Sequence, residues 1–242
     1  MTKAAKKRAK PLDYEAVVPA RGKHLLGDEW AYILPMLVFL GFVFLGGQFP
    51  SIYPLAYVAR AVIVAVLLIV FWKQYTPIRW NYWWLGVIVG VIGIFQWMGM
   101  QLWLQNHFEF FKPSPDVFDP TKVFESRSVM WAFIAVRIAG AVLVVPVMEE
   151  LFWRDYLWRT ILAPNDFKLA RIGEWNLVPF LIVSGVFATV HGNWWLTAIV
   201  WALMIAALLV YTKSLGACII AHATTNLLLA AYVLKTHDWS FW

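Results

Sequence analysis

Long apolar runs separated by short polar or charged segments dominate this chain. A transmembrane helix needs about 20 apolar residues to cross the hydrocarbon core of a bilayer, about 30 Å thick. The runs cover about residues 30–49, 54–72, 82–104, 129–162, 177–191, 194–211 and 216–234. The pattern therefore predicts an all-α fold, a polytopic membrane helical bundle with about seven transmembrane helices.

The fourth run is the longest and extends from Val129 to about Leu162. It is too long for one straight span, so we expect the helix either to tilt or to kink at Pro146. A kink there would free backbone groups beside Glu149. The polar segment 163–176 has room for an additional interfacial or re-entrant helix, which would bring the total to eight.

Glycines and tryptophans in these runs indicate how the spans pack. Gly86, Gly90 and Gly93 follow the third run at the small-residue spacing that allows two membrane helices to approach closely. Several tryptophans near the ends of runs resemble the aromatic belts that lie at membrane interfaces. They are Trp80, Trp83, Trp84, Trp194, Trp195, Trp239 and Trp242.

Composition supports an integral membrane protein rather than a soluble domain. Hydrophobic residues make up 62% of the chain and charged residues only 14%. The first run follows a basic region, as a signal peptide would, but it is too long for an h-region and lacks a clear cleavage site. We expect it to be retained as an anchor. The single cysteine, Cys218, excludes an internal disulfide framework.

The distribution of Lys and Arg predicts the orientation of the bundle. With the N-terminus inside, thirteen basic residues flank the inner ends of the spans and four flank the outer ends. This asymmetry favours a cytoplasmic N-terminus, and a bacterial inner membrane is the expected location. A polybasic segment before a span usually faces an anionic leaflet, so we expect the lipid bilayer and not nucleic acid as its partner. Arg60, about 9 Å into the second span, is expected to snorkel to the interface.

Two adjacent carboxylates and an arginine interrupt the fourth apolar run. A charge at the centre of a membrane helix costs at least about 2.5–3.5 kcal/mol, so these groups need partners. Glu150 and Arg154 stand four residues apart and share a helix face, which predicts an ion pair. Glu149 lies about 100° further round and has no partner on its own helix. A helix end at headgroup level would explain the charges without any chemistry.

Further polar residues occur in later spans, at depths similar to that of Glu149. A rise of 1.5 Å per residue puts Glu149 and Asn226 about 15 Å, His191 about 21 Å and His222 about 9 Å from the inner edge. A lone membrane histidine often serves only an interhelical hydrogen bond. Because these four side chains converge on one layer, we favour a shared site.

Three ordered motifs in the last four spans resemble those of the CAAX protease and bacteriocin-processing family, which includes the type II CAAX prenyl endopeptidases. They are Glu149-Glu150-x-x-x-Arg154, Phe187-x-x-x-His191 and His222-x-x-x-Asn226. Asp155 departs from the family pattern, which has glycine after the arginine. The size and tryptophan content also resemble the branch that accompanies bacterial exosortase systems.

The resemblance implies an intramembrane endopeptidase that cleaves a membrane-anchored protein or peptide without a cofactor. It implies Glu149 and His191 as the pair that activates water. It also implies His222 and Asn226 as the groups that stabilise the oxyanion, a role for which an amide donor is well suited.

The remaining motif residues are expected to support the site rather than to react. Glu150 and Arg154 would neutralise each other, and Phe187 would pack beside His191. Residues 1–28 would then be a basic cytoplasmic tail, 29–128 an N-terminal transmembrane region with three spans and an outer loop, and 129–242 the catalytic transmembrane region.

Other functions remain open at this point. Zinc held by His191, His222 and a glutamate would give a metal-dependent hydrolase, although the spacing lacks His-Glu-x-x-His. A relay of glutamates and histidines would suit a proton-coupled transporter, although no internal repeat is visible. A non-catalytic binding or immunity protein would retain the fold without the chemistry.

Overall fold

The computed structural model describes residues 27–113 and 117–242. These residues form helices joined by turns, without any strand. Within them, six helices are long and apolar enough to cross a membrane, which confirms the predicted all-α membrane bundle. Residues 1–26, almost all of the predicted basic tail, lie outside the described part of the chain.

We number the principal helices of the described residues in chain order. They are α1 (Glu29–Gln48), α2 (Tyr53–Val70), α3 (Trp83–His107), α4 (Arg127–Leu162), α5 (Leu177–Thr189), α6 (Trp195–Thr212) and α7 (Leu215–Thr236). With 13 residues, α5 is about 20 Å long and does not reach across a full hydrocarbon core. The segment 163–176 contains one 3₁₀ turn, Phe167–Leu169, so it adds no eighth spanning helix.

Side-chain caps fix where the last helices begin. The Asn176 side chain accepts a hydrogen bond from the backbone N–H of Val178 (2.8 Å) at the start of α5. Ser214 does the same for Ala217 (3.2 Å) at the start of α7. The Ser214 hydroxyl also lies 2.8 Å from the carbonyl oxygen of Arg79, which ties α7 to the connection between α2 and α3.

Two π-helical segments occur within α4, at Gly140–Val144 and Leu151–Leu157. They flank Val145–Glu150, the α-helical turn that carries both candidate glutamates. Pro146 has no N–H, and its ring would clash with the carbonyl one turn earlier in a regular helix. The wider π turn before Pro146 relieves that clash, in the region where the sequence predicts a tilt or kink.

Close packing of α3 against α7 depends on glycine. A Cβ atom added at Gly86 would lie 2.5 Å from the carbonyl oxygen of Ala217, and one at Gly90 would lie 2.6 Å from that of Ala221. Real Cβ atoms do not approach backbone so closely, so any larger residue would push the helices apart. The packing predicted from the glycine spacing is confirmed, and it fixes α7 beside α3 and α4.

We expect Gly90→Ala to destabilise the bundle by about 1–3 kcal/mol, because the new methyl group overpacks the contact with α7. Gly99→Ala is the matched control on the same helix, since no heavy atom lies within 4 Å of its added Cβ. The control should be neutral or slightly stabilising. The midpoint of thermal unfolding in detergent measures both. Equal losses in the two variants would show that close approach is not what requires glycine at position 90.

Candidate functional site

The candidate site surrounds the α-helical turn of α4 between its two π segments. Glu149 is 6% exposed, Glu150 is fully buried and Arg154 is 1% exposed. A helix end at headgroup level would leave these groups in water, so the structure does not support that interpretation. Buried charges require partners, and their arrangement defines the site.

Glu150 is the centre of a buried polar network. Arg154 donates from Nη1 to Glu150 Oε1 (3.3 Å), and its Nε lies 3.2 Å from Oε2. The ion pair expected from the spacing is therefore present. His222 Nδ1 lies 2.9 Å from the same Oε1, a contact that the sequence did not predict. One carboxylate thus joins α7 to α4.

Glu149 has a different environment, although it is the next residue. Its Oε2 is buried and has no hydrogen-bond partner within the described residues. The carboxyl group interacts electrostatically with His222, Glu150, Arg154 and Arg60. Glu149 therefore lies among charged groups, and its Oε2 accepts no hydrogen bond from a described residue.

Arg60 reaches this neighbourhood from α2. Its guanidinium carbon lies 4.3 Å from the ring centroid of Tyr57 and 4.5 Å from that of Phe39. The expected snorkelling to the interface is wrong, because the aromatic rings hold the cation against the bundle, where it also interacts with Glu149.

Asn226 contacts α4 about two turns before the glutamates. Its Nδ2 donates to the carbonyl oxygen of Ala141 (2.7 Å), which lies in the first π segment. In a π register this carbonyl would pair with the nitrogen of Pro146, which carries no hydrogen. Asn226 thus satisfies the carbonyl that proline leaves unpaired.

His191 lies just beyond the end of α5 and is partly buried. Its Nδ1 is 2.8 Å from the carbonyl oxygen of Phe187, and the two rings are 4.4 Å apart. Phe187 also packs on Trp201 (5.4 Å), whose ring lies 4.7 Å from His222. The Arg154 guanidinium lies 4.8 Å from the Phe187 ring centroid. A series of ring contacts through Phe187 and Trp201 therefore connects the two histidines.

Trp201 is the functional-site residue that sequence analysis missed. It is the seventh residue of α6 and only 2% exposed, unlike tryptophans of an interfacial belt. Its indole nitrogen lies 3.4 Å from Thr225 Oγ1 on α7. An indole N–H in the middle of an apolar span needs a hydrogen-bond partner, and that requirement could have identified Trp201 from the sequence.

The structure brings most of the predicted residues together, but not as every expected pair. Glu150 contacts Arg154 and His222 directly, whereas no hydrogen bond joins Glu149 to His191 in the part of the chain described. A water or substrate group would have to connect these two. Among the described residues, no three His, Cys, Asp or Glu side chains are grouped so as to hold a metal ion.

Asp155, the departure from the family pattern, has its own partner. It is fully buried and forms an ion pair with Arg159, one turn later on α4. Thr76 donates to Asp155 Oδ1 (3.3 Å), and Arg159 Nε donates to the carbonyl of Ala170 (2.8 Å). The extra carboxylate therefore fastens the C-terminal end of α4 to two connections.

Arg154→Ala should lower the free energy of unfolding by about 3–5 kcal/mol, because it leaves Glu150 buried without its cation. Adding Glu150→Gln should restore part of that loss, since glutamine is neutral and still accepts a hydrogen bond from His222. Protein yield and thermal unfolding in detergent measure both effects. A stable but inactive Arg154→Ala variant would instead place Arg154 in contact with substrate.

Comparison with known proteins supports the family that the motifs resemble. Residues 130–228 match the sequence model described as type II CAAX prenyl endopeptidase Rce1-like. No curated protein and no solved structure matched the chain. The match does not address the exosortase-associated branch. The matched segment contains every candidate residue from Glu149 to Asn226, and over it the chain is similar to the Rce1-like type II CAAX endopeptidases.

Proposed function

We propose that this protein is an intramembrane endopeptidase that hydrolyses a peptide bond in a membrane-anchored protein or peptide. The observation that carries the proposal is the buried Oε2 of Glu149, which has no hydrogen-bond partner among the described residues, beside a Glu150 carboxylate that is ion-paired with Arg154 and His222. The match to a CAAX protease family model supports the reaction class. The family match also argues against the alternative that the protein is a proton-coupled transporter.

The two glutamates divide into a reactive and a structural carboxylate. Oε1 of Glu150 contacts both Arg154 and His222, and its Oε2 lies 3.2 Å from Arg154 Nε, so the adjacent cation disfavours proton uptake by this carboxylate. Glu149 has an oxygen that can accept a hydrogen bond from water and then its proton as the water attacks the scissile carbonyl. The same carboxyl can return the proton to the leaving amine.

His191 is well arranged to orient the attacking water. Because its Nδ1 faces the carbonyl oxygen of Phe187, that nitrogen carries the hydrogen in the neutral ring. Nε2 is then an acceptor and can hold one hydrogen of a water molecule. Water would thus bridge His191 and Glu149.

His222 and Asn226 supply donors for the tetrahedral oxyanion. His222 Nδ1 faces the Glu150 carboxylate, so Nε2 lies on the opposite side of the ring, where a hydrogen on it would point away from Glu150. Asn226 uses one amide hydrogen on Ala141 and retains a second. Donors fixed in advance stabilise developing charge without reorganisation, which is the basis of oxyanion catalysis.

A zinc hydrolase remains the second candidate because of one observation. Both histidines engage Nδ1 with protein acceptors, and metal-binding histidines also use one ring nitrogen in this way. Nε2 of each ring and Oε2 of Glu149 would be the ligands, but these three groups would have to move closer together, since no such group of three is present among the described residues. Zinc would supply an activated water in place of the glutamate base.

Glu149→Gln tests the proposed general base. Glutamine keeps the shape but cannot accept a proton, so turnover should fall by about 10²–10⁴. Thermal unfolding should not worsen, because Glu149 Oε2 has no hydrogen-bond partner among the described residues to lose. The measurement compares the termini of membrane peptides in cells that carry either the wild type or the variant. Unchanged termini, together with activity of the purified variant near the wild-type level, would refute the assignment.

Metal dependence separates the two candidates. A water-activating glutamate needs no ion, whereas a catalytic zinc leaves with a chelator. We expect purified protein with substoichiometric metal to keep its activity after prolonged phenanthroline treatment and exchange into metal-free buffer. If activity disappears, returns with zinc, and His191→Ala abolishes bound metal, the zinc mechanism replaces the glutamate mechanism.

A further inference from the structure

A cavity of about 930 Å³ lies at the end of the bundle where α2, α4 and α6 terminate. Its walls come from Arg159 on α4 and from three segments, at residues 73–79, 168–175 and 213–215. This volume is within the range of small-ligand sites. None of the candidate catalytic residues lines the cavity, so it is separate from the glutamate site.

Positive charge dominates the lining of this cavity. Glu174 is the one acidic residue among the lining residues, whereas six are basic: Lys73, Arg79, Arg159, Lys168, Arg171 and Lys213. Arg159 is paired with Asp155, and Lys168 is paired with Asp28. Within the described residues, no carboxylate pairs with Lys73, Arg79 or Lys213.

The walls of the cavity are held in place before any ligand arrives. Lys213 has a left-handed backbone (φ 53°), and its Nζ donates to the carbonyl of Gly173. Gly173 also has positive φ, and a Cβ there would lie 2.5 Å from the carbonyl oxygen of Leu209 at the end of α6. The backbone N–H of Gly216 donates to the carbonyl of Arg79 (3.1 Å). A left-handed lysine is uncommon and marks a locally constrained site.

Exposed apolar side chains surround the cavity at this end of the bundle. Trp72, Trp80 and Trp175 are 56%, 48% and 58% exposed, and Leu169 is 74% exposed. Tryptophans of this kind lie at the level of the lipid headgroups. The cavity therefore opens where phosphate groups of the bilayer are concentrated.

We propose that this cavity binds the phosphate-bearing headgroup of an acidic phospholipid. Lysine and arginine side chains donate several charge-assisted hydrogen bonds to phosphate oxygens, and a net negative headgroup offsets their mutual repulsion. The basic asymmetry that places this end at the inner surface agrees with the acidic leaflet. The proposal does not depend on the protease activity.

Native mass spectrometry of the full-length chain tests the proposal. The protein is released from nanodiscs that contain equal amounts of phosphatidylcholine and phosphatidylglycerol, and the retained lipid is counted. We expect retained phosphatidylglycerol to exceed phosphatidylcholine. In the triple variant Lys73→Gln/Arg79→Gln/Lys213→Gln, the affinity for phosphatidylglycerol should fall on the order of 100-fold, about fivefold for each cation removed.

Arg127→Gln/Lys235→Gln is the matched control, since both side chains are exposed and lie at the other end of α4 and α7. It should retain phosphatidylglycerol as the wild type does. Equal losses in the two variants, or no preference in the wild type, would overturn the proposal. Inorganic phosphate and phosphatidylglycerol are also compared by the thermal shift that each produces in the detergent-solubilised protein. If inorganic phosphate produces an equally large shift, the cavity binds soluble phosphate instead.

Discussion

The carboxylate of Glu150 is the point on which the site depends. It is fully buried and accepts contacts from Arg154 on its own helix and His222 on α7. Any shift of α7 against α4 would break the contact between His222 and Glu150 and leave a buried polar atom without its partner, at a cost of about 1–3 kcal/mol. The pairing therefore fixes the position of α7, and His222 is fixed with it.

Glycines on α3 and the proline on α4 also restrict where α7 can lie in the bundle. Gly86 and Gly90 allow α7 to approach α3 so closely that its backbone has one available position. At the other contact, the π turn before Pro146 presents the carbonyl of Ala141, and Asn226 binds it. The π turn in α4 thus helps to set the position of α7 along α4, through Asn226, which lies one helical turn from His222.

Much of this arrangement follows from sequence periodicity. Apolar run length predicts the helices, and the i,i+4 spacing predicts the Glu150–Arg154 pair. Contacts between distant helices have no such local signal, so the bond from His222 to Glu150 was not predicted. Trp201 was missed because a tryptophan within an apolar run looks like ordinary packing. The wrong expectation for Arg60 arose because depth along a helix does not reveal which rings lie beside it.

The ion pair between Asp155 and Arg159 has an evolutionary consequence. Arg159 also donates to the carbonyls of Ala170 and Lys168, so an arginine at this position has partners even without the carboxylate. Asp155 has no second cation among the described residues, where Arg159 is its ion-pair partner. A lineage that starts with glycine at position 155 would therefore tolerate the substitution that introduces Arg159 before the substitution that introduces Asp155. The reverse order would pass through a buried, uncompensated anion, so the two substitutions are contingent on one another.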